Sequence, residues 1–472
     1  LIIGGGVVGC AIARALSGKE VTVALAEARE DVAMGASRAN SAIVHAGYDA
    51  PPDTMMARLG VRGNALYGRW CEDLEVPFQR VGSLVIAFDA ADERTLIELL
   101  EKGRQNGVPG LTLLSGERAR MLEPALSPSV SQALYAETGA ITCPYEMTIA
   151  CYENARANGL TALTDAPVTA IEQENGCFRV RCGPHSVTAR YIINAAGLFA
   201  DDIARMVGDD HFTLRPRKGE YMLFDRSETK VRTVVFQTPS NMGKGVLVSP
   251  TVDGNMFVGP TARDQASRTD FDVTEEGLAE LMALSKKSVP AIDYRAVITS
   301  FAGLRAHSST GDFVIKAHGR MLHAAGICSP GLTSAPAIAE QIISLLEKAG
   351  LPLPDKKGFF PKRPHMARFS SMSRSEREKA IADNPLYGRI VCRCETVTEA
   401  EIVCAVRRGA RSLDAIKRRT RAGMGRCQGG FCSPRVMEIL CRETGMRMTE
   451  ITKFGGKSVV APFLTRGEDN NA

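Results

Sequence analysis

Leu1-Ile2-Ile3-Gly4-Gly5-Gly6-Val7-Val8-Gly9-Cys10-Ala11 opens the chain, an apolar strand running into G-x-G-x-x-G and on into a helical run. Each glycine has a mechanical reason. Gly4 permits the tight turn, Gly6 lets a pyrophosphate approach the backbone, and Gly9 allows the following helix to pack closely, while the helix N-terminus attracts phosphate charge. A lone G-x-G-x-x-G is weak, but a second strand, Val21-Thr22-Val23-Ala24-Leu25-Ala26, follows and ends at Glu27. That is the spacing at which a carboxylate accepts hydrogen bonds from a ribose. The stretch predicts a Rossmann-like nucleotide domain, and by itself it does not choose between FAD and NAD.

Working outward, 472 residues are too many for one core and suggest two to four domains. With 44% hydrophobic and 24% charged residues the composition is that of an ordinary globular protein, and a net charge of +5 gives no argument for nucleic acid or a membrane surface. No apolar run is long enough to span a bilayer, and the first apolar stretch lacks a basic leader or cleavage site, so a cytoplasmic location is expected. The chain opens inside a strand without a methionine, which leaves room for a short preceding segment. Residues 1 to about 350 alternate strand-like and helix-like periods, which reads as α/β. The stretch from Leu351 through Pro352, Pro354, Lys356 and Lys357 to Gly358 reads as the start of a linker over 351–388. A small domain is expected at 389–445, with Thr398 as N-cap of a helix, followed by a tail over 446–472 whose last residues, from Arg466, look disordered.

The choice of nucleotide comes from resemblance further along. Tyr191-Ile192-Ile193-Asn194-Ala195-Ala196-Gly197 is a strand ending in small residues, followed by a helix containing Asp201. Ala325-Gly326-Ile327-Cys328-Ser329-Pro330-Gly331-Leu332-Thr333-Ser334 is a turn opening onto a helix. Together with the first motif they resemble the D-amino-acid-oxidase-like superfamily of FAD-dependent oxidoreductases. The resemblance implies FAD contacts at Gly4, Gly6, Gly9 and Glu27, at Asn40, Ser41 and Val168, at Ala196 and Gly197, and at Gly331, Leu332 and Thr333. It implies a Rossmann-like FAD-binding domain (about 1–80, 140–215 and 295–350) with an inserted α+β substrate domain (about 81–139 and 216–294).

Asn40-Ser41-Ala42-Ile43-Val44-His45-Ala46-Gly47-Tyr48 resembles the segment that passes the flavin in the glycerol-3-phosphate dehydrogenase and L-2-hydroxyglutarate dehydrogenase branches, and residues 98–111 look closer to the second. Arg217-Lys218-Gly219-Glu220-Tyr221 and Gly303-Leu304-Arg305 are similar to both. Oxidising a secondary alcohol takes a base for the hydroxyl proton, a flavin for the hydride and a cation for the substrate's anionic end. His45 is the leading base, His307 the reserve, and Arg305 the anion clamp, because its planar fork suits a carboxylate or phosphate. A structural histidine and a surface ion pair are the bland alternatives for His45 and Arg305. The glycerol-phosphate pattern has cations where this chain has Asp49 and Gly331. The expected substrate is therefore a small anionic, 2-hydroxyglutarate-like hydroxy acid. The alternatives are anaerobic-type glycerol-3-phosphate dehydrogenase, an amino- or imino-acid dehydrogenase, or a non-catalytic electron-transfer subunit.

Thirteen cysteines in a large chain without a secretory leader point to reduced thiols and a metal rather than disulfides. Cys392 and Cys394 form C-x-C, and after a gap of 32 residues Cys427 and Cys432 form C-x-x-x-x-C. Four thiolates can close around a [2Fe-2S] cluster or zinc, and spacing alone leaves both open. The flanking residues, Val391 to Thr398 and Thr420 to Cys432, resemble the bacterioferritin-associated-ferredoxin-like [2Fe-2S] domain, a small helical module. The resemblance implies that Cys392, Cys394, Cys427 and Cys432 hold one [2Fe-2S] cluster that passes electrons to a redox partner subunit or acceptor. Membrane contact would then be peripheral, through a partner. Lys417-Arg418-Arg419-Thr420-Arg421 reads as a solvated basic face favouring an anionic cluster or an acidic partner, not as a nucleic-acid patch.

Overall fold

Two residues, Ile2–Ile3 (β1), are too few to show a period, yet their position decides the topology. In the computed structural model, which describes residues 1–239 and 245–463, β1 runs parallel between Ala24–Ala26 (β2) and Ile192–Asn194 (β3). Thr161–Leu163 extends the sheet beyond β2, and Met321–Ala325 with the antiparallel Val314–His318 extends it beyond β3. From β1 the chain passes through the helix Val7–Ser17 (α1) to β2 on one side and returns much later to β3 on the other. Nucleotides bind at such reversals, beyond the carboxyl ends of the parallel strands. Ile2, Leu25 and Ile192 are fully buried, as a sheet covered on both faces requires. The helices Met55–Leu74 (α2) and Gly331–Lys348 (α3) complete this layer, with Ile12 and Leu16 of α1 sharing a core with Ile338 and Ile342 of α3. A Cβ on Gly63 would lie 2.1 Å from Thr333 O, so glycine lets α2 seat on the first turn of α3.

A second sheet of nine strands is inserted into the first unit. Its longest pair is Leu214–Phe224 (β4) against Val297–Ser308 (β5), antiparallel from Leu214↔Ser308 to Phe224↔Val297. This α/β nucleotide sheet with an inserted α+β sheet is the expected fold class. One boundary differs: β5 fell within the expected nucleotide-binding part 295–350, and along its whole length it is a strand of the inserted nine-stranded sheet. A glycine-punctuated apolar strand looks the same in either sheet, and only its partner tells them apart.

The expected linker over 351–388 also divides. Leu351 and Leu353 are buried in the core around α1 and α3, Asn154 Nδ2 donates to the carbonyls of Phe360 (2.9 Å) and Lys362 (3.0 Å), and Arg363 pairs with Glu153 at 2.8 Å. The leucines alternate with the prolines, so this extended stretch packs where composition suggested it could not. By contacts the chain forms two compact units, residues 1–28 with 32–363, and residues 29–31 with those from 364 on.

In the second unit, the helices Glu399–Arg407 (α4), Leu413–Thr420 (α5) and Ser433–Thr444 (α6) surround Ile402, Val406, Ile416, Ile439 and Leu440. Thr398 caps α4 as expected, in a capping box with Glu401. The basic run on α5 is not a solvated face. Arg418 and Arg419 are buried, and both reach Asp31 (3.0 and 2.6 Å), while Arg421 pairs with Glu395 at 2.8 Å. The partner lies nearly four hundred residues upstream, beyond the reach of any local pattern. Burial opposes ionisation of Asp31, but Arg419 and Arg418 outweigh it and hold the carboxyl below its ordinary range. A carboxyl held low contributes stability that is present above its unfolded pKa and lost as pH falls through the folded one. Asp31→Asn leaves two guanidinium groups buried without their carboxylate and should cost about 3–5 kcal/mol. Denaturant melts followed by the visible circular dichroism of the cysteine module will check this, and an unchanged midpoint refutes it.

The expected disorder from Arg466 onward lies outside the described residues. No described helix is long and apolar enough to cross a membrane.

Candidate active site

At the carboxyl end of β1, Gly4 has φ +109°, and a Cβ there would lie 2.3 Å from Ala195 O; one on Gly9 would lie 2.0 Å from Gly4 O. Both are therefore glycine for steric reasons. Gly6, at the N-terminus of α1, has only Ser37 Oγ near its virtual Cβ, at 3.3 Å, which leaves that side open to a phosphate. Ser37 Oγ accepts the Val7 N–H at 2.8 Å, and Glu27, following β2, accepts the Gly5 N–H at 2.6 Å. Beside them Ala196 donates to Asn194 Oδ1 at 3.3 Å, and Gly197 (φ +58°) has nothing within 4 Å of its virtual Cβ. Val168 starts a three-stranded sheet and packs half-buried on the cluster of Ile3, Ala26 and Ile192. The carboxylate, the glycine cradle and the open helix end together fit a dinucleotide.

The segment expected beside the flavin is held from both ends. Asn40 secures its own turn, donating to Ala36 O (3.0 Å) and accepting from Ala42 N (2.9 Å), and Ser41 Oγ is 3.3 Å from Tyr221 Oη. The His45 N–H donates to Thr333 Oγ1 at 2.9 Å, Asn64 Nδ2 donates to His45 O at 2.9 Å, and His45 Nε2 lies 3.4 Å from Ser329 Oγ. Thr333 and Ser329 belong to the third expected FAD segment, so that turn and the His45 strand meet. Leu332 is half-buried on the first turn of α3, and a Cβ on Gly331 would lie 2.5 Å from Ile327 Cγ2.

The β4–β5 pair forms the facing platform. Its register sets Tyr221 opposite Phe301, Gly219 opposite Gly303, Arg217 opposite Arg305 and Arg215 opposite His307. Residues two apart share a face, so these eight lie on one side. Tyr221 and Phe301 stack with centroids 4.8 Å apart. A Cβ on Gly303 would lie 1.9 Å from Ala39 O, so the chain leading to Ser41 crosses the platform over that glycine.

Arg305 differs from its neighbours. Arg217 forks onto Asp264, and Lys218 Nζ lies 2.8 Å from Asp270 and 2.9 Å from Asp272 O. Arg305 instead donates to carbonyls, Thr261 O at 2.7 Å and Lys218 O at 3.1 Å, and among the described residues no carboxylate pairs with it. Burial pushes its guanidinium below the usual arginine range. A half-buried guanidinium held by carbonyls and paired with no described carboxylate is not the surface ion pair that was the bland alternative. Burial, with Arg217, also lowers His307, which is then neutral near pH 7.

Cys392 and Cys432 are buried, Cys427 is half-buried and Cys394 exposed. Cys394 Sγ and Cys427 Sγ are 3.8 Å apart. A Cβ on Gly425 would lie 2.3 Å from Cys394 Cβ, so glycine lets the two cysteine segments approach. No three of the described side chains close around a single point as one metal ion would require. A two-iron centre asks only for two thiolates at each iron, and four cysteines without one common focus, two buried and two nearer solvent, fit it.

The FAD dependent oxidoreductase family model (DAO) matches residues 1–345. The chain belongs to this family. A BFD-like [2Fe-2S] binding domain matches residues 390–442. A glycerol 3-phosphate dehydrogenase from Caloramator mitchellensis is 45% identical over 99% of this chain and 98% of its own length. The human mitochondrial L-2-hydroxyglutarate dehydrogenase is 26% identical over 72% of this chain and 87% of its own. Among solved structures, the dithionite-reduced L-alpha-glycerophosphate oxidase of Mycoplasma pneumoniae with FAD bound superposes with a TM-score of 0.73 at 32% identity, covering 76% of this chain and 97% of that one. The cofactors of this oxidoreductase are FAD and a [2Fe-2S] cluster.

Within the family's frame, the structure brings His45 together with Ser329 and Thr333, and Arg305 together with Tyr221 and Ser41. Sequence reasoning missed Ser329, Thr261 and Asn64 as partners. Asn64, buried at 5% exposure inside α2, carried a usable signal, since a buried amide on an amphipathic helix needs a polar partner.

Proposed function

We propose that this FAD- and [2Fe-2S]-dependent enzyme is a dehydrogenase that oxidises glycerol 3-phosphate. What carries the reading is the 45% identity to a glycerol 3-phosphate dehydrogenase over almost the whole of both chains, the cysteine module included. It reverses the order expected from sequence, in which a 2-hydroxy acid came first; the L-2-hydroxyglutarate dehydrogenases are far more distant, at 26% for the human enzyme. The argument from missing cations also weakens on physical grounds. Gly331 is a packing requirement against Ile327 rather than a vacant position for a lysine. Positive charge for a phosphate is available on the platform from Arg305, with Arg215 on the same face, while Arg217 there is already paired with Asp264.

In this reading Arg305 takes the phosphate or another terminal anion, while Ser41 and Tyr221 line the path between anion and flavin. The flavin supplies the acceptor for the hydride from the carbinol carbon. His45 Nε2 takes the hydroxyl proton, so that hydride and proton together leave a ketone. Ser329 Oγ and the Thr333 contact orient the ring. His307, neutral and two residues from Arg305, is the reserve base. Gly4, Gly6, Gly9, Glu27, Asn40, Val168, Ala196, Gly197 and Leu332 serve the FAD.

The test is anaerobic reduction of the bound flavin by substrate in stopped flow. Glycerol 3-phosphate should bleach it faster, at equal concentration, than L-2-hydroxyglutarate, lactate or amino acids by more than about tenfold, or about 1.4 kcal/mol in barrier. Faster bleaching by a 2-hydroxy acid sinks the substrate reading, and no bleaching by any of them favours a non-catalytic flavin subunit.

A further inference from the structure

Arg305 reaches its carbonyls by crossing a strand. It starts on β5 and passes over β4 at Gly219, where a Cβ would lie 2.9 Å from Arg305 Nη2 and 3.2 Å from Thr261 O. Glycine at that position keeps the lane open. Thr261 runs along the edge of β4 away from β5, between the residues that pair with Met222 and those that pair with Lys218, and its carbonyl accepts from Arg305 Nη2 at 2.7 Å.

What fixes Thr261 is a carboxylate on the other face. Side chains alternate along β4, so Glu220 turns away from the platform; it is fully buried, and among the described residues no cation pairs with it. Its Oε2 accepts from Thr261 Oγ1 at 2.9 Å, and its Oε1 accepts from Thr274 Oγ1 at 2.9 Å and from the Thr274 N–H at 2.6 Å. One side chain thus closes the loop 261–274 at both ends. Within that loop Asp264 takes Arg217 and Asp270 takes Lys218, so two cations receive carboxylates while Arg305 receives a carbonyl. Space for the carboxylate is built into the next helix, Glu275–Ser288, where a Cβ on Gly277 would lie 1.8 Å from Glu220 Oε2. The proton directions are set as well. Each threonine oxygen already accepts an N–H, Thr261 from Glu220 at 3.0 Å and Thr274 from Gly277 at 3.1 Å, so both hydroxyl protons point to Glu220, and a group that only accepts is required there.

We propose that Glu220 is a positioning residue for the substrate's anion: through Thr261 it fixes the carbonyl that holds Arg305 across Gly219, and so determines which of the clustered cations is presented to the substrate. The inference rests on the reading of Arg305 as the anion clamp and is indifferent to whether the anion is a phosphate or a carboxylate.

The test is a titration of flavin reduction in the full-length holoprotein, using whichever of glycerol 3-phosphate and L-2-hydroxyglutarate bleaches the wild-type flavin faster. In Glu220→Gln the amide oxygen keeps the two Thr274 donors and the NH2 confronts the Thr261 hydroxyl, so the Thr261 end is released while the helix end stays held. Half-saturation should rise about tenfold, with the limiting rate within about twofold of wild type and FAD retained at one per chain. Thr261→Val removes the hydroxyl at nearly constant shape and should reproduce that split, Thr261→Ser should recover most of the loss, and the double variant should be no worse than either single one, because both act through one bond. Unchanged half-saturation in both single variants overturns the proposal, as does a loss of FAD and limiting rate together, which would mark Glu220 as a fold residue only. Arg305→Ala, run alongside, separates the two claims. If it weakens binding while Glu220→Gln and Thr261→Val do not, the clamp stands and the positioning role is wrong; if it changes nothing, the clamp itself fails and the positioning role with it.

Discussion

Arg305→Ala should raise the glycerol 3-phosphate concentration needed for half-maximal flavin reduction by two orders of magnitude or more, with FAD still bound at one per chain. The size follows from what the guanidinium lacks. Arg217 and Lys218 already have aspartates, at Asp264 and Asp270, so an incoming anion competes with carboxylates there. Arg305 donates to the Thr261, Lys218 and Arg217 carbonyls and pairs directly with no described carboxylate, so an anion that reaches it completes a contact ion pair. Removing one side of an enclosed charge pair costs roughly 2–5 kcal/mol, about 30-fold to several thousand-fold in binding. Arg305→Lys keeps the charge but loses the fork and should recover only part of the loss. The glycine cradle, Glu27 and the start of α3 do not involve Arg305, so flavin retention should be unaffected. Unchanged kinetics in Arg305→Ala would return the residue to a structural role on the platform.

The nucleotide half of the molecule was legible because its constraints are local. Gly4 and Gly9 are steric necessities of a strand, turn and helix within eleven residues, and Thr398 with Glu401 announces its helix within four. The same holds for the cysteine module, whose cysteines come in two short segments within the region that a BFD-like [2Fe-2S] binding domain matches. What escaped the sequence is what long-range pairing decides. Asp31 and Arg419 meet across 388 positions, so a run of basic residues read as a solvated face is in fact buried. The strand carrying Arg305 was assigned to the nucleotide part, because nothing in Val297–Ser308 itself reveals that its partner is β4. The expectation that placed a 2-hydroxy acid before glycerol 3-phosphate, the order the 45% identical relative now speaks against, rested on an equally local argument. Cations were counted at two sequence positions, whereas the platform gathers Arg215, Arg217 and Arg305 on one face through strand register, which a motif does not record.

Cys427→Ser should abolish both the visible absorption of the cluster and the paramagnetic signal that appears on reduction, while substrate still bleaches the flavin. Cys427 Sγ lies 3.8 Å from Cys394 Sγ, so a serine there would deprive one iron of a thiolate and offer it a smaller, harder oxygen. The flavin half-reaction needs only residues of the first unit, and it should persist with unchanged substrate dependence. Turnover with a one-electron acceptor that takes electrons from the cluster should then fall by orders of magnitude, because a flavin that accepts two electrons at once loses the centre that carries them away singly. Zinc has no redox chemistry and could only staple the module. Metal analysis of anaerobically prepared wild-type protein that found one zinc and no iron or sulfide would remove this electron exit, and the persistence of acceptor turnover in Cys427→Ser would place the exit at the flavin itself.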